Sequence, residues 1–207
     1  MIIINIEQGS EAWFQERCGR FTASKFATLM SGETTKGFGD LITETAGEII
    51  TGEIEESYVN ADMERGKELE PEARACFEDT TGLDVLEVGF CLPDDEAQGE
   101  WVGVSPDGLI PSEDAILEIK CPKKKTHLNY IKAGRLPNEY KWQVQGQLLV
   151  TGAKKAYFMS YYPNMKPFII EVLPDEEMRA SLTERITDAI ERVKREIEIY
   201  NKYEYGK

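Results

Sequence analysis

With 207 residues and no linker-like stretch, the chain is long enough to bury a substantial core as a single domain. One histidine, four scattered cysteines without a C-x-x-C pair and no G-x-x-x-x-G-K-[ST] loop argue against a Ser-His-Asp hydrolase, a histidine-rich zinc centre, a disulfide framework, an iron-sulfur cluster and a phosphate-loop nucleotidase. A net charge of −14 opposes nucleic-acid binding on average, although the distribution of charge matters more than its sum.

From the N-terminus, Met1–Asn5 lacks a basic n-region and no apolar run reaches membrane-spanning length, so a cytoplasmic protein is expected. Trp13–Arg17 predicts a short helix. Thr22-Ala23-Ser24 offers a hydroxyl N-cap to a second helix, Lys25–Met30, stopped by Ser31-Gly32. Longer helices are expected over Phe38–Glu56 and Ala61–Thr80, followed by strands over Asp84–Cys91, Glu100–Leu109 and Ala115–Cys121. Asn138–Thr151 reads as a helix around Val144 and Leu148, and Lys155–Tyr162 with Pro167–Leu173 as a strand pair across Pro163-Asn164. From about Asp175 to 203, an apolar stripe of Met178, Leu182, Ile186, Ala189, Ile190, Val193 and Ile197 marks a long amphipathic helix. N-terminal helices (10–80), a sheet region (84–173) and a C-terminal helix (175–203) make one α/β domain. The cysteines Cys18, Cys76, Cys91 and Cys121 are expected to be reduced and mostly buried.

Chemistry concentrates in Ser105-Pro106-Asp107-Gly108 and Leu117-Glu118-Ile119-Lys120, an aspartate followed eleven residues later by a Glu-x-Lys. Side chains alternate along a strand, so Glu118 and Lys120 share one face while Leu117 and Ile119 pack behind them. If Glu100–Val104 pairs with Ala115–Cys121 as a hairpin, the Pro106-Asp107-Gly108 turn brings Asp107 beside Glu118. Asp107, Glu118 and a backbone carbonyl such as that of Ile119 suit Mg²⁺, which prefers carboxylate, carbonyl and water oxygens. Lys120 would orient or deprotonate the attacking water, the latter only if its pKa is lowered, and would offset developing negative charge. Taken alone, a Glu-x-Lys on a strand is more often a solvated face.

Other polar features surround this pair. Arg17, Arg20 and Lys25 cluster early, Arg65 and Lys67 flank an acidic segment containing Glu70, and Lys120 with Lys123–Lys125 forms a basic loop beside His127. Gln143 and Gln147 lie one helical turn apart, a polar edge on an apolar segment.

Together, Glu70, Ser105-Pro106-Asp107-Gly108, Leu117-Glu118-Ile119-Lys120-Cys121-Pro122 and Tyr140-x-x-Gln143-Val144-Gln145 resemble the PD-(D/E)xK nucleases of the YqaJ-type viral recombinase and phage lambda exonuclease family. The likeness extends to Trp13-x-x-x-Arg17, Thr22-Ala23-Ser24 and Tyr161-x-Pro163, and so covers most of the chain. It implies a restriction-endonuclease-like core, a central mixed β-sheet flanked by helices. It also implies a 5′-to-3′ exonuclease on linear double-stranded DNA that releases 5′-mononucleotides. The 3′ single strand would pass to a single-strand annealing protein in a phage- or prophage-encoded recombination system.

Carried over by motif, Asp107 and Glu118 become Mg²⁺ ligands with the Ile119 carbonyl, for one or two ions that Mn²⁺ can replace. Lys120 becomes the water-positioning or basic group, and Glu70 a further acid acting on a metal directly or through water. Gln143, after Tyr140, matches the helix glutamine near the scissile bond, while Arg17 and Ser24, with Tyr140, fall among the positions that hold the 5′ phosphate and DNA. The resemblance also implies a homo-oligomer, with a trimeric ring around DNA as the candidate assembly. Loop content differs around Gly32–Gly39 and Asp94–Gly99. Two other functions compete: an endonuclease or junction resolvase of the same fold, and a non-catalytic DNA-binding recombination scaffold.

Overall fold

The structure, a computed structural model, describes residues 1–54 and 61–204. In chain order it runs β1 (Ile2–Ile4), α1 (Glu11–Arg17), β2 (Phe21–Thr22), α2 (Phe26–Leu29), α3 (Lys36–Thr51), α4 (Ala61–Thr81), β3 (Phe90–Leu92), α5 (Glu96–Gly99) and β4 (Val102–Gly103). It continues through β5 (Gly108–Ile110), β6 (Ala115–Lys120), α6 (Lys124–Ala133), α7 (Lys141–Thr151), β7 (Lys155–Ser160), β8 (Phe168–Val172) and α8 (Glu176–Lys202).

Local chemistry sets the helix ends. Ser10, Thr35 and Asp175 cap α1, α3 and α8 by accepting the N–H groups of Trp13, Phe38 and Met178, and Glu176 and Glu177 add favourable charge to the first turn of α8. Glycines with left-handed backbones, Gly52 and Gly152, stop α3 and α7.

The main sheet has the order β5-β6-β7-β8, with β6 antiparallel to β5 and parallel to β7, and β7 antiparallel to β8. This is the mixed sheet flanked by helices that the sequence predicts. Alternation along β6 divides the core. Leu117 and Ile119 face Ala73 and Phe77 of α4, while Ile116 belongs to the larger cluster with Phe26, Leu29, Val144, Leu148, Leu182 and Ile186. Glu118 and Lys120 therefore turn toward α7. Close approach fixes α7 in place: a Cβ on Gly146 would lie 2.0 Å from the Phe26 ring, so only glycine lets this helix seat against α2.

Several expectations change. The hairpin partner of β6 is β5, not Glu100–Val104; β4 instead pairs in parallel with β2, so the expected strand Glu100–Leu109 is two strands interrupted at Pro106. Asp107 accordingly stands at the lead-in to β5 rather than in the hairpin turn. The expected strand Asp84–Cys91 survives only as β3, with an isolated Leu86–Leu109 bridge, and pairs with the unanticipated β1. Thr22 does not cap α2, because its hydroxyl accepts from Arg17 instead, and a 3-10 turn over Ala23–Lys25 intervenes. The helix expected over Phe38–Glu56 begins at Lys36 and ends at Thr51; residues 55 and 56 lie outside the described residues.

The Lys123–Lys125 loop is the entry to α6, and His127 is not beside substrate there but wholly buried, bonded to Ser160 Oγ at 2.8 Å and to the Lys166 carbonyl at 3.0 Å. A carbonyl can only accept, which fixes the proton on Nε2. Only Cys91 of the four thiols is fully buried.

Gly146→Ala is expected to lose about 1–3 kcal/mol through overpacking against Phe26. Chemical denaturation checks this, and unchanged stability would mean that α7 is free to shift.

Candidate active site

At the C-terminal end of β6 the strand outruns its neighbour. β5 begins at Gly108, opposite Leu117, so Ile119 has no backbone partner on that side. Asp107 supplies one: its N–H donates to the Leu117 carbonyl at 3.0 Å, and its carboxylate Oδ2 accepts the Ile119 N–H at 2.5 Å. The expected juxtaposition of Asp107 with the Glu-x-Lys strand is thus achieved through a strand-end bond.

Glu118 is 1% exposed. Its Oε1 accepts from Gln143 Nε2 and pairs with Lys120 Nζ, both at 2.5 Å, and its Oε2 accepts from Gln147 Nε2 at 2.6 Å. An uncompensated carboxylate at this depth would cost several kcal/mol, whereas here two amide donors and a cation meet it. Lys120 also lies over the Tyr140 ring at 5.1 Å, and that ring packs on Phe158 and Tyr130. Tyr140 is thus placed as a wall behind the lysine. Burial alone would lower the Lys120 pKa, but Glu118 and Asp107 outweigh it and hold the ammonium above the ordinary lysine range. The condition for a basic Lys120 is not met in this arrangement, which instead favours a protonated group that offsets negative charge.

Asp107 carries the opposite burden. Burial first, then Glu118 and Glu70, push its carboxyl well above the usual range, against the relief given by Lys120 and the Ile119 N–H. Glu70 approaches from α4, which continues through Pro71, and is itself raised by burial and by Glu87 and Glu118 despite the pull of Arg74. Arg74, one turn further on, takes Glu70 Oε1 at 2.6 Å and the Asp107 carbonyl at 3.2 Å. It therefore ties the third acid to the aspartate.

Among the described residues, no three His, Cys, Asp or Glu side chains stand close enough to hold a metal by themselves. The donor chemistry nevertheless fits Mg²⁺, which binds through one or two carboxylates and keeps several waters. Asp107 and Glu118 could offer two such carboxylates. The repulsion that raises Asp107 is what a dication would relieve.

A second feature lies beside α1. Arg17, Thr22 and Lys25 line a cleft of about 740 Å³ whose other wall, from α3 and the residues after it, carries Asp40, Glu44, Glu48 and Glu53. Arg17 Nη2 donates to Thr22 Oγ1 at 3.2 Å, and that hydroxyl lies 3.4 Å from Ser24 Oγ, so Arg17 and Ser24 meet through Thr22. Burial lowers the Arg17 pKa to about 10, against the pull of Glu48. Glu48 also pairs with Lys25 at 3.2 Å.

Trp13 joins cleft and strand end: the Arg17 guanidinium lies 4.0 Å over its ring, and its indole N–H donates to Ser105 Oγ at 2.9 Å. Other cations are placed elsewhere. Arg20 bonds the Gly99 carbonyl and the Glu16 carbonyl, and Arg65 bonds the Cys121 and Pro122 carbonyls. Sequence alone gives Trp13, Gln147 and Arg74 no site role, although Trp13 stands in the Trp13-x-x-x-Arg17 motif and Gln147 lies one turn from Gln143.

Residues 12–154 match the YqaJ-like viral recombinase domain. The chain belongs to the YqaJ-like viral recombinase family. Within it, the chain resembles the alkaline exonuclease LHK-Exo of Laribacter hongkongensis, at 33% identity and a TM-score of 0.84 over 93% of this chain and 97% of that one. The structure of LHK-Exo in complex with dAMP gives 34% identity, the same TM-score and the same coverage. A phage-related exonuclease from Haemophilus somnus 129PT shares the fold, at 16% identity and a TM-score of 0.67 over 87% of this chain and 96% of that one. No curated protein matches significantly. Among the described residues of this YqaJ-like domain, no helix is long and apolar enough to cross a membrane.

Because the folded Asp107 pKa lies above its unfolded value, ionised Asp107 destabilises the metal-free protein above the ordinary carboxylate range. In chelator at pH 8, Asp107→Asn is expected to raise Tm by about 2–4 °C for each ~1 kcal/mol relieved. The gain should shrink as pH falls through the raised folded-state range and vanish below the ordinary aspartate pKa, where the wild-type carboxyl is protonated in both states. A lower Tm at pH 8 would reject the electrostatic crowding.

Proposed function

We propose that this chain is a Mg²⁺-dependent exonuclease that degrades linear double-stranded DNA from 5′ ends, releasing 5′-mononucleotides and leaving a 3′ single strand for an annealing partner. The observation carrying this reading is Trp13, which stacks on Arg17 in the cleft and bonds Ser105, two residues before Asp107. An end-phosphate pocket mechanically tied to a hydrolytic centre favours cutting at ends over the internal cutting of an endonuclease or resolvase. The paired Asp107, Glu118 and Lys120 weigh against a non-catalytic scaffold.

Asp107 and Glu118 would hold the cation, with the Ile119 carbonyl as a further oxygen and Glu70 acting through water. When bound, it supplies charge neutralisation at the phosphate and a more acidic water. Lys120, kept protonated by Glu118, stabilises the negative charge that develops on the phosphate as the water attacks. Arg17, with Thr22 and Ser24 behind it, binds the terminal phosphate by charge-assisted hydrogen bonds and so places the first internucleotide bond at the strand end. The dAMP bound by LHK-Exo is the chemical class of product expected here. A homo-oligomer, with a ring as the candidate form, would let a chain of charge −14 turn its cations toward an enclosed duplex. Monomeric mass by light scattering alongside processive digestion would overturn the ring.

With Mg²⁺, linear duplexes bearing a 5′ phosphate should be degraded faster than those bearing a 5′ hydroxyl, and covalently closed circles should survive. Circles cut at the linear rate would reject the exonuclease. Arg17→Ala should erase the preference between the two ends. Lys120→Ala should lower turnover by about 10²–10³-fold while DNA retention in gel shift stays near wild type; lost retention would assign the lysine to substrate binding.

A further inference from the structure

Glu118 meets three groups, and they do not act alike. Gln143 and Lys120 both engage Oε1, so together they anchor a single oxygen. Gln147 takes Oε2 at 2.6 Å and so fixes the plane. Its side chain is wholly buried, and its own Oε1 is buried without a hydrogen-bond partner among the described residues.

A carboxylate paired with lysine only accepts, so the amide must turn its NH₂ toward Glu118 and leave its oxygen unsatisfied. Gln145, on the same helix, provides the contrast. Its amide donates to the Leu173 carbonyl at 2.9 Å and accepts the Asp175 N–H at 2.8 Å, tying α7 to the start of α8 with both ends satisfied. Gln145 is placed as a structural amide, while Gln147 is costly to the fold and directed at one carboxylate.

We propose that Gln147 is a positioning residue of the nuclease centre, setting the plane of the Glu118 carboxylate so that it meets the divalent cation in a fixed orientation. This rests on the metal-dependent reading above. Outer partners that orient a ligand in this way typically contribute about 10–100-fold to metal affinity or activity.

The test compares Gln147→Met, which keeps shape but removes the donor, with Gln145→Met. Mn²⁺ binding is followed by loss of the free-ion paramagnetic resonance signal, and Tm is measured in chelator. Gln147→Met should weaken Mn²⁺ binding about 10–100-fold, with a chelated Tm set by the lost donor to Glu118 against relief of the unpartnered Gln147 Oε1. Gln145→Met should lower the chelated Tm with Mn²⁺ affinity unchanged. Normal Mn²⁺ affinity in Gln147→Met, or an equal loss of Mn²⁺ affinity in Gln145→Met, would overturn the proposal. A wild type that binds no Mn²⁺ would instead overturn the metal reading, and this inference with it.

Discussion

A buried carboxylate governs this structure. Glu118 sits on an interior strand, and the surrounding elements are arranged to make its charge tolerable: β6 contributes Lys120, α7 contributes Gln143 and Gln147, and Tyr140 walls the lysine. Removing one partner from a buried ion pair typically costs about 3–5 kcal/mol, so the placement of α7 is tied to this charge. The close Gly146–Phe26 approach follows from the same need, since it holds α7 where its amides face the strand.

Much of this was legible in the sequence because it depends on short-range periodicity. Alternation in Ala115–Lys120 placed Glu118 and Lys120 on one face, and the helical spacing of Val144 and Leu148 placed α7 on the core. The long stripe of α8 was equally plain. Features decided by tertiary context were not. The partner of β6 could not be read, because Pro106 splits a run that otherwise looks continuous. Three consecutive lysines suggested a loop, yet they open a helix whose buried His127 anchors it to β7 and to the Lys166 carbonyl. The protonation of Lys120 was also beyond sequence, since it depends on two carboxylates converging from separate segments.

Charge placement bears on how so acidic a chain could take the polyanionic substrate proposed for it. Arg20 and Arg65 bind backbone carbonyls, and Arg74 ties two parts of the acidic site together. The cations of the α1 cleft are few and partly met by Glu48. Under the proposed exonuclease reading, recognition would fall to local contacts with a terminal phosphate more than to long-range attraction.

The Asp107 carboxyl divides its labour. One oxygen completes the sheet where β5 falls short of Ile119, leaving only the other to face a ligand. A cation held here, as proposed, would find a single oxygen of this residue free, and further positions around it would fall to water. The same bond makes the end of the sheet a gauge of the site: a side chain one methylene longer would either detach from Ile119 or overshoot the metal. The end of the sheet and the free carboxylate oxygen at the site are thus set by one side chain.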